Sequence, residues 1–273
     1  MKFSIITVCF NAADTIEKTI ESVLCQTFGD YEYILIDGGS SDGTREIIDK
    51  YASEGNVRYI SEKDNGLYDA MNKGIAMAEG DFVEFLNSGD ELYDEKVLEA
   101  VSETISGVFT DSDSGDLQSG DKAPKYVFYG NIIYMNPDGS TDMRLYGKSC
   151  GKPIYFATGD CVNHQAIFAS RKLFTEKAFR NDLYKICADR DWMMKTVKAG
   201  AKWVPLGITT VKYDLSDESI SLRDKDLLRR EEKMCLKNNY PALVPIYCCF
   251  DFARNNRALS GALHGIYKKL FIR

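Results

Sequence analysis

The stretch "FSIITVCFNAADTIEKTIESVLCQTFGDYEYILIDGGSSDGT", Phe3 to Thr44, decides the fold. Phe3 to Phe10 is a short apolar run, rich in β-branched residues and bounded by polar ones, which reads as a buried strand. The period then changes. From Asp14 to Gln26, Ile16, Ile20, Val23 and Leu24 fall on one helical stripe. Tyr31 to Gly39 returns to a strand and Asp42 to Ala52 to a helix. A strand, a crossover helix and a second strand form a right-handed parallel unit.

The same alternation runs on from there. Asn56 to Glu62 reads as a third strand, and Leu67 to Glu79 as a helix with Ala70, Met71, Gly74, Ile75 and Ala78 on one face. Asp81 to Asn87 is a fourth strand and Asp94 to Ile105 a helix. Even alternation of this kind implies an α/β fold, a mostly parallel sheet flanked by helices. Residues 106–125 are rich in Gly, Ser and Asp and read as a long mobile loop. Its D-x-D, Asp111 and Asp113, is delivered by no apolar strand and reads as solvated. The second half is mixed. Lys125 to Met135 and Gln165 to Ser170 read as strands, with a turn at Asn136 to Gly139. Asp189 to Gly200 reads as a helix, "AKWVPL" and "ITTVKY" as two strands, and Asp224 to Asn238 as a helix.

With 273 residues, 44% apolar and 27% charged, the chain is an ordinary globular composition for one large domain or a domain with an appendage. Neither a spanning apolar run nor a signal peptide is visible, so a cytoplasmic location is expected. The eight cysteines show no C-x-x-C pair and no zinc spacing, and read as free thiols. Net charge is −7, yet from Arg223 onward eleven Lys or Arg face five Asp or Glu. Phe252 to Arg273 holds five basic residues and no acid. That tail reads either as a solvated helix or as a basic, aromatic-studded segment on an anionic membrane surface. No folded basic face exists for nucleic acid.

Ligands of an open parallel sheet bind beyond the carboxyl ends of its strands. There the chain places Phe10 and Asn11, then Asp37 with Gly38, then "EKDNG" with Asp64, then Asn87, Ser88, Gly89 and Asp90. Four consecutive strands that put an acid or amide at one rim point to a polar pocket holding a cation. Neither G-x-G-x-x-G nor a phosphate-binding P-loop motif is present.

These residues, together with "SEKDNGLYDAMNKGIAMAEGDFVEFLNSGDEL" and the later "CVNHQAIFASRKLF" and "YKICADRDWMMKTVKAGAKW", resemble family 2 glycosyltransferases, inverting enzymes with a GT-A fold, of the bacterial capsule and exopolysaccharide type. The resemblance implies a nucleotide-sugar half (1–98), an acceptor half (126–222) and a helical basic extension (223–273). It implies a nucleoside-diphosphate sugar as donor, a glycan or lipid-linked acceptor, and transfer of a hexosyl or N-acetylhexosaminyl group. Phe10 stands where the family stacks an aromatic on the base, and Asp37 matches the first aspartate of D-D-G-S. The second is Gly38. Asp90 matches the last aspartate of D-S-D-D, which holds Mn²⁺ or Mg²⁺ against the diphosphate, while Asn87 and Gly89 replace the others. Asp189 matches the general base of the E-D pair, whose glutamate is Ala188.

Chemistry accommodates the thinned motif, because Mg²⁺ often takes one or two protein carboxylates with phosphate and water for the rest. Asp189, near a helix start, is a base or an N-cap, and a base there needs a neighbour that raises its pKa. His164 either faces ligand or is a hydrogen-bonded structural residue. Asp69, near the start of the third helix, could reach the pocket, and Lys73 reads as solvated. Two other functions compete: a catalytically silent sugar-nucleotide binder and a sugar nucleotidyltransferase. The latter needs a Gly- and basic-rich loop after the first strand, which "NAADTIEKT" is not.

Overall fold

The computed structural model describes residues 1–53, 57–111, 125–175, 177–215 and 224–256. The first half consists of β1 (Phe3–Cys9), α1 (Ile16–Leu24), β2 (Tyr31–Asp37), α2 (Thr44–Ala52), β3 (Val57–Ser61), α3 (Leu67–Met77) and β4 (Phe82–Phe85). Its strands lie in the order β3-β2-β1-β4 and all pair in parallel. Central β1 is buried along its whole length, as a covered parallel strand must be. Helix α1 buries Ile16, Ile20 and Val23, the stripe that the sequence marks. Helix α3 lies close on β1 and β2 because Gly74 has no Cβ; one would stand 2.4 Å from Ile6 Cγ2.

The second half comprises β5 (Glu91–Leu92), α4 (Val97–Asp111), β6 (Tyr126–Met135), β7 (Thr141–Arg144), α5 (Pro153–Ala157), β8 (Ile167–Ser170), α6 (Ala188–Lys198), β9 (Lys202–Asp214), α7 (Lys225–Asn239) and α8 (Val244–Arg254). One nine-stranded sheet runs through both halves in the order β3-β2-β1-β4-β8-β6-β9-β5, with β7 on β6. Strand β8 forms the seam, antiparallel to β4 on one side and to β6 on the other. Aromatic rings bolt the seam: Phe3 lies 5.8 Å from Phe168, and Phe82 5.8 Å from Phe128. Asp224 caps α7 by accepting from the Leu227 amide. Among the described residues no helix is long and apolar enough to cross a membrane.

Several boundaries differ from the sequence reading. Helix α4 continues to Asp111, so the first part of the expected loop is helical; the remainder, with Asp113, lies outside the described residues. The two expected late strands are one strand, β9. It absorbs Gly207, at φ 73°, where the pairing with β6 shifts register. Strand β5 has two residues and exists only through its pairing with β9, while β7 buries none of its side chains. Neither leaves a periodic signal. All eight cysteines are free, with Cys25, Cys248 and Cys249 exposed.

Among the described residues Glu84 is a buried carboxyl with both oxygens unsatisfied. It sits on β4, opposite Ile5. Burial pushes its pKa well above the carboxylate range, and the charge of Asp90 adds to the push. The folded protein therefore keeps a proton that the unfolded chain releases above about pH 4.3. Stability drains as pH rises through that window. Glu84→Leu is expected to raise stability by about 1–3 kcal/mol, the cost of a buried unsatisfied polar group. Thermal melts of both proteins at pH 5 and pH 8 test this: the gain should be larger at pH 8, and a variant that melts lower at both would refute it.

Candidate active site

A cavity of about 680 Å³ opens beyond the carboxyl ends of the parallel strands. Its walls bring together Phe10, Asn11, Asn87, Ser88, Asp90, His164 and Asp189 from the candidate residues. Asp37, Gly38, Asp64, Asp69 and Gly89 are not among the lining residues.

At one end, β1 gives way to Phe10, whose ring is 62% exposed. Asn11 follows at φ 49° and locks the turn: its amide donates to Ser40 Oγ and its side-chain oxygen accepts from the Ser41 amide. Asp37 lies fully buried beneath. Its oxygens accept from the Ser40 amide and hydroxyl and from Ser61 Oγ, which ties the ends of β2 and β3 together. Gly38 leaves a space that Asp64 uses. A Cβ on Gly38 would stand 2.5 Å from Asp64 Oδ2 and 3.3 Å from the Phe10 ring. The loop between β3 and α3 thus brings a carboxylate to the place where position 38 has none. Asp69 turns to its neighbours instead, accepting from Asn65 and Asn181.

The floor is the turn after β4. Gly89 adopts φ 96°, a conformation that favours glycine, and its amide donates to Thr19 Oγ1. Ser88 Oγ meets Thr15. Asp90 is 4% exposed and pinned from the far side of the sheet, Oδ1 accepting from the Asp214 amide and Oδ2 from Gln165 Nε2. Burial raises its pKa to about 7, against the pull of those two donors and of His164. Asp214, at the end of β9, also lines the cavity and pairs with Lys18 Nζ. Asn87 donates from Nδ2 to His164 Nε2, while its Oδ1 is buried without a partner.

His164 continues that chain, with Nδ1 3.1 Å from Asp189 Oδ2. Asp189 Oδ1 accepts from Tyr68 Oη at 2.9 Å and from the Arg190 amide at 2.8 Å. Burial pushes the Asp189 pKa up, but His164, Arg190 and Tyr68 outweigh it and leave it below the usual carboxylate range. The expected neighbour that raises this pKa is not there; the neighbours lower it. The loop that presents Asp189 is held by Glu231 of α7, which accepts from the amides of Lys185, Ile186 and Cys187. Arg190 is buried against Glu232 and the Gly159 carbonyl.

A hard cation fits the floor. Asp90 offers a carboxylate, Asn87 Oδ1 an unsatisfied oxygen, and Asp214 a second carboxylate nearby. Among the described residues no three His, Cys, Asp or Glu gather into a ligand cluster, so phosphate and water oxygens would complete the shell. Sequence reading missed Asp214, Gln165, Tyr68 and Lys18. Asp214 carried a usable signal, a carboxylate at the end of a strand in the second half.

Comparison with known proteins bears on the family and the fold. The model of the family described as Glycosyl transferase family 2 matches residues 4–173. A PGL/p-HBAD biosynthesis glycosyltransferase of Mycobacterium tuberculosis is 33% identical over 232 residues, 84% of this chain and 83% of that protein. Among solved structures, S. aureus TarS 1-349 in complex with UDP-GlcNAc superposes with a TM-score of 0.66 at 18% identity, over 94% of this chain and 74% of that one. The mannosyltransferase PcManGT of Pyrobaculum calidifontis, in complex with GDP-Man and Mn²⁺, gives a TM-score of 0.54 at 14% identity, over 96% and 78%. The architecture is GT-A-like. With the family model covering more than half of its length, the chain belongs to glycosyl transferase family 2.

Proposed function

We propose that this glycosyltransferase moves a hexosyl or N-acetylhexosaminyl group, with inversion, from a nucleoside-diphosphate sugar to a hydroxyl of a glycan or lipid-linked acceptor. The observation that carries the proposal is the chain Asn87–His164–Asp189. It joins the carboxylate-bearing floor at one end of the cavity to a second carboxylate at the other. Inversion requires that division: charge must be absorbed where the diphosphate leaves, and a proton removed on the opposite side of the sugar. The nucleotide-bound forms of TarS and the mannosyltransferase support a donor of this class. Residues 1–98 would hold the donor, 126–222 the acceptor, and 223–273 the flank of the acceptor side.

On this reading Phe10 stacks on the base, and Asp64, beside its ring, accepts a hydrogen bond from the base edge. Asp37 acts by holding the turn. Asp90, Asn87 and Asp214 would hold Mn²⁺ or Mg²⁺, which when bound neutralises charge on the departing diphosphate. Asp189 accepts the proton of the acceptor hydroxyl. His164 keeps it oriented and anionic, and Tyr68 fixes its other oxygen. A low pKa makes Asp189 a weak base, sufficient where the hydroxyl loses its proton late, as bond formation proceeds. The work is proposed to take place in the cytoplasm, with the basic tail on an anionic membrane.

Donor hydrolysis with UDP- and GDP-sugars, with Mn²⁺ and with chelator, tests the reading. Release of nucleoside diphosphate should need the metal and vanish in Asp90→Ala; tight donor binding with no turnover, acceptor extract included, would favour the silent binder. Proton and cation compete for Asp90. Mn²⁺ affinity, titrated calorimetrically in the presence of nucleoside diphosphate, should fall up to about tenfold per unit as pH drops below about 7. A flat profile would remove Asp90 from the cation site. Asp189→Asn is expected to lower kcat about 10²–10⁴-fold with donor KM little changed; an equal loss in KM would assign it to donor binding. Asp64→Ala should weaken UDP or GDP binding about tenfold, the loss of one charge-assisted hydrogen bond, without shifting metal dependence.

A further inference from the structure

The turn that carries Asp90 is splinted by one row of side chains from α1. Thr15 Oγ1 meets Ser88 Oγ at 3.2 Å, and Thr19 Oγ1 accepts from the Gly89 amide at 2.9 Å. One turn further on, Ser22 Oγ accepts from the Leu92 amide at 3.1 Å. Positions 15, 18, 19 and 22 fall on one face of a helix, and Lys18 is the charged member of that row. Its ammonium pairs with Asp214 Oδ2 at 2.5 Å, at the end of β9. Lys18 thus neutralises the carboxylate that the candidate cation site draws from the second half of the chain.

The two partners are unequally held. The Asp214 side chain is 14% exposed, on a residue whose amide donates to Asp90 Oδ1. The Lys18 side chain is 39% exposed, and its ammonium rides on a flexible four-carbon stem. The carboxylate must stay, and the ammonium can leave. While it stays, the floor offers a bare divalent ion one carboxyl without an ammonium partner, Asp90, and the repulsion of a positive charge beside it.

We infer that Lys18 is a counter-ion exchanged between Asp214 and the diphosphate of the donor, so that the floor takes up a divalent cation far more readily with the nucleotide than without it. An ammonium that leaves Asp214 needs another anion, and the donor brings one into the same cavity. Asp214 is thereby opened to a cation at the moment when phosphate oxygens are present to complete the shell. By linkage, nucleotide and cation tighten each other by one and the same factor, and Lys18 enlarges that factor. The inference rests on the glycosyl-transfer reading for the donor, and on Asp90 and Asp214 as the cation site.

Two affinities of the full-length protein test this by calorimetry: Mn²⁺ alone, and UDP or GDP with Mn²⁺ present. Lys18→Met should bind Mn²⁺ alone about tenfold more tightly than the wild type, and nucleotide with Mn²⁺ about tenfold less tightly. Opposite signs from one substitution are the mark of an exchanged counter-ion. Lys18→Arg, which keeps the charge, should stay close to the wild type in both. In an Asp214→Asn background, Lys18→Met should no longer tighten Mn²⁺, since the carboxylate it uncovers is gone. Both affinities falling together, as for a mere strut between α1 and β9, or either one unmoved, would overturn the inference. Wild-type nucleotide binding that is equal with Mn²⁺ and with chelator would overturn the cation site beneath it, and no nucleotide binding at all would overturn the donor reading.

Discussion

One buried carboxylate constrains the molecule more than any other group. Asp90 leaves the parallel half on the turn after β4, but both groups that hold it come from the mixed half, the Asp214 amide and Gln165. Its raised pKa records the cost of that burial. The two-residue strand β5 then carries the chain to pair with β9, beside Asp214. Fold and site therefore share hydrogen bonds: the turn is aimed only when both halves of the sheet are assembled.

A second chain of contacts runs from the floor to the far carboxylate. Asn87, His164 and Asp189 come from three separate segments, and Tyr68 from a fourth closes on Asp189. Because His164 links the floor to the far carboxylate, the two ends cannot shift independently. Glu231 anchors the far end through three backbone amides. Buried polar networks of this kind are costly unless each member is satisfied, and the member left open, Asn87 Oδ1, is the one beside the proposed cation site.

The sequence made the parallel half legible because its helices and strands each bury one clean stripe, Ile16, Ile20 and Val23 being the plainest. Asp90 and Asp189 were legible for the same reason, since a strand end or a helix start fixes where a side chain goes. Asp214 and Gln165 were not. Their importance depends on which strands of the mixed half become neighbours, and the pairing of β6 with β9 joins segments far apart in the chain. Two-residue β5 and exposed β7 carry too few apolar positions to show a period. A helix start already favours an ionised Asp189, but it does not disclose His164 and Tyr68, which lower its pKa further.

The space beside Gly38 has a consequence for how this sequence can drift. Asp64 Oδ2 fills the volume that any side chain at 38 would need. Positions 38 and 64 thereby share one space: a side chain gained at 38 requires the Asp64 carboxylate to swing aside. The carboxylate beside the Phe10 ring is thus mounted on the loop after β3, and not on the one after β2.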